Sequence, residues 1–205
     1  MNSQRKRTIR QFKRIEKLAS KLRLAADGWN EDWKILVATL MSARTTDKIT
    51  IPTAERLFDK YKNINKLSKA KVEDIGNIIR PVNFYKTKAR NILKLAKILI
   101  KEHNGKTPHE FTKLIELPGV GRKTANVFLA EKGYSSIGVD AHVSWISRKI
   151  GWTKHISQEK IESDLQNLFP KRYWGKLNWA LVRFGQTYKS RKEKDIILSR
   201  IKSAR

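Results

Sequence analysis

Leu117-Pro118-Gly119-Val120-Gly121-Arg122-Lys123-Thr124-Ala125 is the stretch that decides the fold. Proline at position 118 disfavours helical backbone at Leu117, so a helix should stop there. Gly119 and Gly121 supply the backbone freedom for a tight turn around Val120. From Arg122 to Ala130 the residues read as a new helix, with Val120, Ala125, Phe128 and Leu129 available for a core. The pattern predicts helix, Gly-Val-Gly hairpin, helix. Such a hairpin turns backbone N–H groups and the positive end of a helix outward, an arrangement suited to a phosphate.

Working outward, apolar residues recur at helical spacing along most of the chain. Ile9, Phe12, Ile15, Leu18, Ala19 and Leu22 predict one amphipathic, basic helix from about Ile9 to Ala26, broken by Gly28-Trp29-Asn30. Asp32 to Ser42 reads as a largely buried helix. Ile49 to Tyr61 reads as another, with Pro52 in its first turn. Ser68 is placed as the N-cap of a short helix. Arg80 to Tyr85 is a loop, Lys86 to His103 a long basic helix, and Asn104-Gly105 its C-cap. Pro108 to Phe111 opens the helix leading into the hairpin. Periodic segments then recur at Val143–Ile150, Gln158–Phe169, Trp174–Gly185 and Ile196–Ile201, while Tyr134 to Val139 is extended without forming a sheet. Nothing alternates at period two for long, and no internal repeat is visible. The fold class is all-α.

The chain of 205 residues carries a net charge of +26, a field that concentrates polyanions, with nucleic acid the leading candidate. A uniformly lysine-rich proteome is the bland alternative. Hydrophobic residues make up 40%, enough for a packed core. With no cysteine, disulfides and thiolate-ligated metals or clusters are excluded. The longest apolar runs, such as Ile35 to Met41, are too short to span a bilayer, so no membrane partner is expected. Met1 to Lys17 lacks a secretory apolar region and reads as a DNA-facing helix or arm of a cytoplasmic, nucleoid-associated protein.

Several residues invite chemistry. Lys123 stands in the first helical turn after Gly121, where the helix dipole disfavours an ammonium. Partial burial there makes a usable amine nucleophile, and a solvated phosphate contact is the competing reading. Asp140, in Val139-Asp140-Ala141-His142, is placed as a helix N-cap, a role compatible with that of a general base. His142 alone reads as a packing or phosphate-contact residue. The four histidines are scattered and form no metal-ligand pattern. Asn83-Phe84-Tyr85 is either core or an apolar wedge for a base stack, and Arg44 is either surface charge or a side chain inserted into DNA.

At these residues the sequence resembles the endonuclease III family of helix-hairpin-helix DNA glycosylases, from roughly Trp33 to Gly185. The hairpin motif and Val139-Asp-Ala-His142 stand at the family's spacing. Ser42-Ala-Arg-Thr-Thr-Asp47 resembles its Ser-Ala-Gln-Ala-Thr-Asp segment, and Val82-Asn-Phe-Tyr-Lys-Thr-Lys-Ala89 its Ile-Gly-Leu-Tyr-Asn-Ser-Lys-Ala segment. The resemblance implies a six-helix lobe at 25–132, a second lobe from 1–24 plus 133–205, and a DNA groove between them. It implies that Lys123 attacks the deoxyribose C1′, forms a Schiff base and permits β-elimination, assisted by Asp140. Arg44, Asp47, Phe84, Gly119, Val120, Gly121, Arg122 and His142 are the expected DNA contacts, and a monovalent cation on the hairpin carbonyls is compatible with the resemblance.

The departures are informative. The family's Gln is Arg44, its wedge Leu is Phe84, and the Gly before the wedge is Asn83, which tolerates left-handed backbone well. The family's C-terminal four-cysteine cluster loop is missing, so no iron–sulfur cofactor is expected. A basic tail, Tyr188 to Lys192 and then Asp195 to Ala204, stands in its place to pack the C-terminus and bind phosphate. The leading reading is a monomeric, bifunctional glycosylase and abasic-site lyase on oxidised pyrimidines in duplex DNA. Removal of uracil or thymine from mismatches with guanine, and a non-catalytic DNA-binding module, are the alternatives.

Overall fold

Twelve α-helices and one 3-10 turn account for most of residues 3–203, the residues that the computed structural model describes, and no strand occurs among them. Met1 and Ala204, included in segments expected above, lie outside the described residues. The chain divides into two compact units, Arg23–Phe128 and the combination of Met1–Leu22 with Leu129–Arg205.

The first unit holds α2 (Asp32–Ser42), α3 (Asp47–Lys60), α4 (Ile64–Ser68), α5 (Val72–Ile78), α6 (Tyr85–His103), α7 (Phe111–Glu116) and most of α8 (Arg122–Glu131). Its long central helix, α6, buries Ile92, Leu95, Ala96 and Leu99, and packs against α2, α4 and α5. Apolar residues three and four positions apart form one stripe of a helix, which is why this run buries a face. Asn104, at φ 52, ends α6 in the left-handed conformation, and Gly105 follows at φ 77. Helix α2 is buried almost all round, from Trp33 to Met41.

The second unit holds α1 (Ser3–Leu18), α9 (Ala141–Ile150), α10 (Gln158–Leu168), the 3-10 turn Lys171–Tyr173, α11 (Trp174–Thr187) and α12 (Arg191–Ser203). Its core gathers Phe12, Ile15, Val143, Ile146, Leu165, Phe169, Leu181 and Phe184. Phe169 anchors edge-on aromatic pairs with Phe12 at 5.9 Å and Trp152 at 4.9 Å, the geometry that ring quadrupoles favour. Helix α12 buries Leu198 and Ile201 and packs on α9 and α1, so the basic tail forms a docked helix.

Four local expectations are corrected. Helix α1 begins at Ser3 and ends at Leu18, and Leu22 is 43% exposed instead of facing a core. Beyond Leu18 the backbone N–H groups are claimed by side chains: Ser20 by Thr187 Oγ1, Leu24 by Asp27 Oδ2 and Ala25 by Asp47 Oδ1. Pro52 lies past the first turn of α3, because that helix starts at Asp47, two residues earlier than the periodicity does. Ser68 closes α4 and donates to the Asn65 carbonyl, while the cap is Asn63, whose side chain accepts from the Lys66 N–H. The single short helix expected there is therefore two, α4 and α5.

Candidate active site

Helix α7 ends at Glu116, and Leu117 turns to extended backbone, ψ 137, as a residue before proline should. The Leu117 carbonyl accepts the Val120 N–H at 3.0 Å, closing a four-residue turn with Pro118 second and Gly119 third. Gly119 has φ +79, the sign that the third place of a type II turn demands. It is also a close approach: an added Cβ would stand 2.8 Å from Asn91 Nδ2 and 3.0 Å from Leu40 Cδ1. Gly121 differs, since a Cβ there meets nothing within 4 Å. Its carbonyl accepts the Ala125 N–H at 3.0 Å and so starts α8.

Among the described residues, the N–H groups of Gly119 and Gly121 have no hydrogen-bond partner, and both residues are exposed. Val120 is buried and its N–H is spent inside the turn, which leaves its carbonyl as the polar group it can offer. Arg122 lies with its guanidinium 4.9 Å from the Phe111 ring centroid, tying the start of α8 to the start of α7. Lys123 is half-buried in the first turn of α8.

Two other loops of the same unit meet. Arg44 (φ 57) and Phe84 (φ 59) are both non-glycine residues in the left-handed region, at roughly 1–2 kcal/mol each. The Arg44 guanidinium lies 5.4 Å from the centre of the Phe84 ring, which is 60% exposed. Asn83, the residue suited to left-handed backbone, does not take it. Its amide side chain donates to the Arg44 carbonyl and its N–H to Thr45 Oγ1, which moves the strained position onto Phe84. Asp47 serves the same region by accepting the Ala25 N–H.

Beneath these loops sits Lys88, which sequence reasoning passed over. Its ammonium donates to the Met41 and Ala43 carbonyls at 2.7 and 2.6 Å and reaches Thr45 Oγ1 at 3.4 Å. It thereby satisfies carbonyls at the C-terminus of α2, where a cation is favoured. Burial nevertheless lowers its pKa from 10.5 to about 8. Its only sequence signal was a lysine at an inward-facing position of α6.

In the second unit, Asp140 caps α9: Oδ1 accepts the Val143 N–H at 2.8 Å. Oδ2 makes no hydrogen bond among the described residues, so the cap leaves half of the carboxylate available. His142 lies on the first turn of α9, against Gly185 of α11. A Cβ on Gly185 would overlap His142 Nδ1 and stand 2.9 Å from Cγ and Cε1. This glycine inside a helix, a choice that costs helix stability, makes room for the imidazole.

Residues 37–171 match the HhH-GPD superfamily of base excision DNA repair proteins. Endonuclease III of Thermotoga maritima is 37% identical over 158 residues, which are 76% of this chain and 74% of that protein. This chain belongs to the endonuclease III family. Endonuclease III of Bacillus subtilis is 34% identical over 158 residues, 75% of this chain and 71% of that protein. A solved endonuclease III–DNA covalent intermediate, an estranged-adenine complex, superposes with a TM-score of 0.84 at 30% identity, covering 93% of this chain and 90% of that one. Membership makes the chain a base-excision repair DNA glycosylase. The family's four-cysteine cluster does not fit these residues, because the sequence offers no cysteine to ligate it. Where the cluster loop would follow α11, this chain has α12.

Proposed function

We propose that this glycosylase is bifunctional, excising oxidised pyrimidines from duplex DNA and then cleaving the abasic strand. The Lys123 amine attacks C1′ of the flipped nucleotide and the base departs with the glycosidic electron pair. Sugar opening leaves a Schiff base between Nζ and C1′. Loss of a C2′ proton then expels the 3′ phosphate. Asp140 takes the proton from the attacking ammonium and stabilises positive charge on the sugar, using the carboxylate oxygen that the α9 cap does not occupy. Arg44 and Phe84 fill the gap left by the flipped nucleotide, and the Gly119 and Gly121 amides hold the strand's phosphate. His142 contacts the flanking phosphate. The protein acts as a monomer in the cytoplasm.

The observation that carries this reading is a nucleophile-bearing residue, Lys123, in the first turn of α8 and two residues after Gly121, next to two hairpin amides without a hydrogen-bond partner among the described residues. A purely hydrolytic glycosylase needs no amine there. A panel of thymine-glycol, uracil·guanine and thymine·guanine duplexes tests it. The expected result is nicking of the thymine-glycol strand with a β-elimination product. Base release from the mismatches alone, without nicking, overturns it, as does equal affinity for all duplexes without any cleavage.

A further inference from the structure

Helix α6 starts at Tyr85, directly after the exposed Phe84, and most of its exposed positions are basic. Exposed positions along it are Lys86, Thr87, Arg90, Lys94, Lys97, Lys101 and Glu102. Successive α-helical residues are rotated by about 100°, so Lys86, Arg90, Lys94, Lys97 and Lys101 fall within an arc of about 80°. At 1.5 Å per residue the stripe is about 22 Å long. None of the five makes an ion pair with a carboxylate among the described residues; Arg90 donates only to Thr87 Oγ1. Like charges three and four apart repel and destabilise a helix, so this face carries a standing cost in the free protein that a polyanion removes.

We infer that this stripe is a second DNA contact, a track for one phosphate backbone of the duplex flanking the lesion. This rests on the proposed DNA-repair reading. One end of α6 is fixed beside both DNA-facing loops: Phe84 immediately precedes it, and Asn91 packs against the hairpin at Gly119. From there the stripe runs a length equal to about six or seven base pairs of B-form DNA. Its cations recur about once per helical turn, roughly 5.4 Å, against one phosphate per roughly 3.4 Å of axis along a strand, so five flexible side chains face a run of about six or seven phosphates. Glu102, rotated by about 100° from Lys101, lies off this stripe and does not interrupt it.

The test is the salt dependence of binding by the full chain to a lesion-containing duplex. The Lys94→Ala/Lys97→Ala/Lys101→Ala variant is compared with a control of equal charge change, Lys60→Ala/Lys62→Ala/Lys66→Ala. Each lost phosphate contact should flatten the slope of log K against log salt by about 0.9. The stripe variant is expected to lose between one and three units of slope, and the control less than half a unit. Helicity by circular dichroism should be unchanged or higher, since alanine favours helix. Equal slopes for the stripe variant and wild type overturn the inference, and so do equal losses in variant and control, which would mean a diffuse field. If wild type itself binds DNA without a salt-dependent slope, the DNA-repair reading falls with it; if wild type binds and the stripe variant matches it, only the stripe falls.

Discussion

Gly119 and Gly121 stand on either side of Val120 in one hairpin, yet replacing each by alanine should have opposite consequences. Gly119→Ala forces a side chain into φ +79, at about 1–2 kcal/mol. The new Cβ stands 3.0 Å from Asn91 Cβ and from Leu40 Cδ1, and Leu40 is 2% exposed and held in the core. Overpacking of this kind adds about 1–3 kcal/mol. The first unit should therefore lose about 2–5 kcal/mol, read as a lower urea midpoint with an unchanged slope. Gly121→Ala meets no atom within 4 Å, so at a helix N-cap it costs at most about 1 kcal/mol. Its methyl, however, fills the open space before α8, where a phosphate would approach. Displacing a charge-assisted hydrogen bond is worth about 1.5–3 kcal/mol, so affinity for an abasic-analogue duplex should fall about tenfold or more. Loss of stability in Gly121→Ala equal to that in Gly119→Ala refutes the geometry. Wild-type affinity in Gly121→Ala refutes the phosphate reading of the hairpin.

Three further outcomes follow from the other contacts. Gly185→Ala should destabilise the second unit by about 1–3 kcal/mol because its methyl overlaps His142; a gain in stability, the usual result for glycine to alanine inside a helix, contradicts that packing. Asp140→Ser keeps a cap for the Val143 N–H and should hold stability within about 0.5 kcal/mol, whereas Asp140→Ala should lose about 1 kcal/mol. Both should abolish nicking, and a fully active Asp140→Ser removes the carboxylate from catalysis. Lys88 has its pKa lowered by burial to about 8 from 10.5. The unfolded chain then binds the extra proton between those values, so wild-type stability should rise with pH from about 8 to 10.5 relative to Lys88→Met. The relative gain is at most about 3 kcal/mol, and a flat difference across that window in urea titrations contradicts the lowered pKa of Lys88.

Local chemistry made the hairpin legible. Proline before glycine specifies where α7 stops and which residue takes positive φ, and neither depends on distant contacts. The periodicity of α2 and α6 was readable for the same reason, since a helix declares its buried face within a few turns. What escaped was set by long-range partners. Apolar spacing continues past Leu18, but Ser20 bonds to Thr187, 167 positions away, and ends the helix. Asn63 and Ser68 are both plausible caps on sequence, and only the backbone N–H of Lys66 decides between them. Lys88 gave no sign that it would turn inward, because the carbonyls it satisfies belong to Met41 and Ala43. Gly185 looked like an ordinary helix residue until His142 was found where its side chain would be. Similarly, Asn83 signalled a left-handed turn one residue early, since its own bonds to Arg44 and Thr45 shift the strain onto Phe84.

In the proposed reaction Lys123 becomes covalently attached to the sugar it deprives of its base. Borohydride reduction during incubation with a thymine-glycol duplex captures a Schiff base as a stable amine, and peptide mapping locates it. A one-to-one protein–DNA adduct at Lys123 is expected, absent in Lys123→Ala while that variant still binds the duplex. No adduct with wild type, or an undiminished adduct with Lys123→Ala, contradicts it.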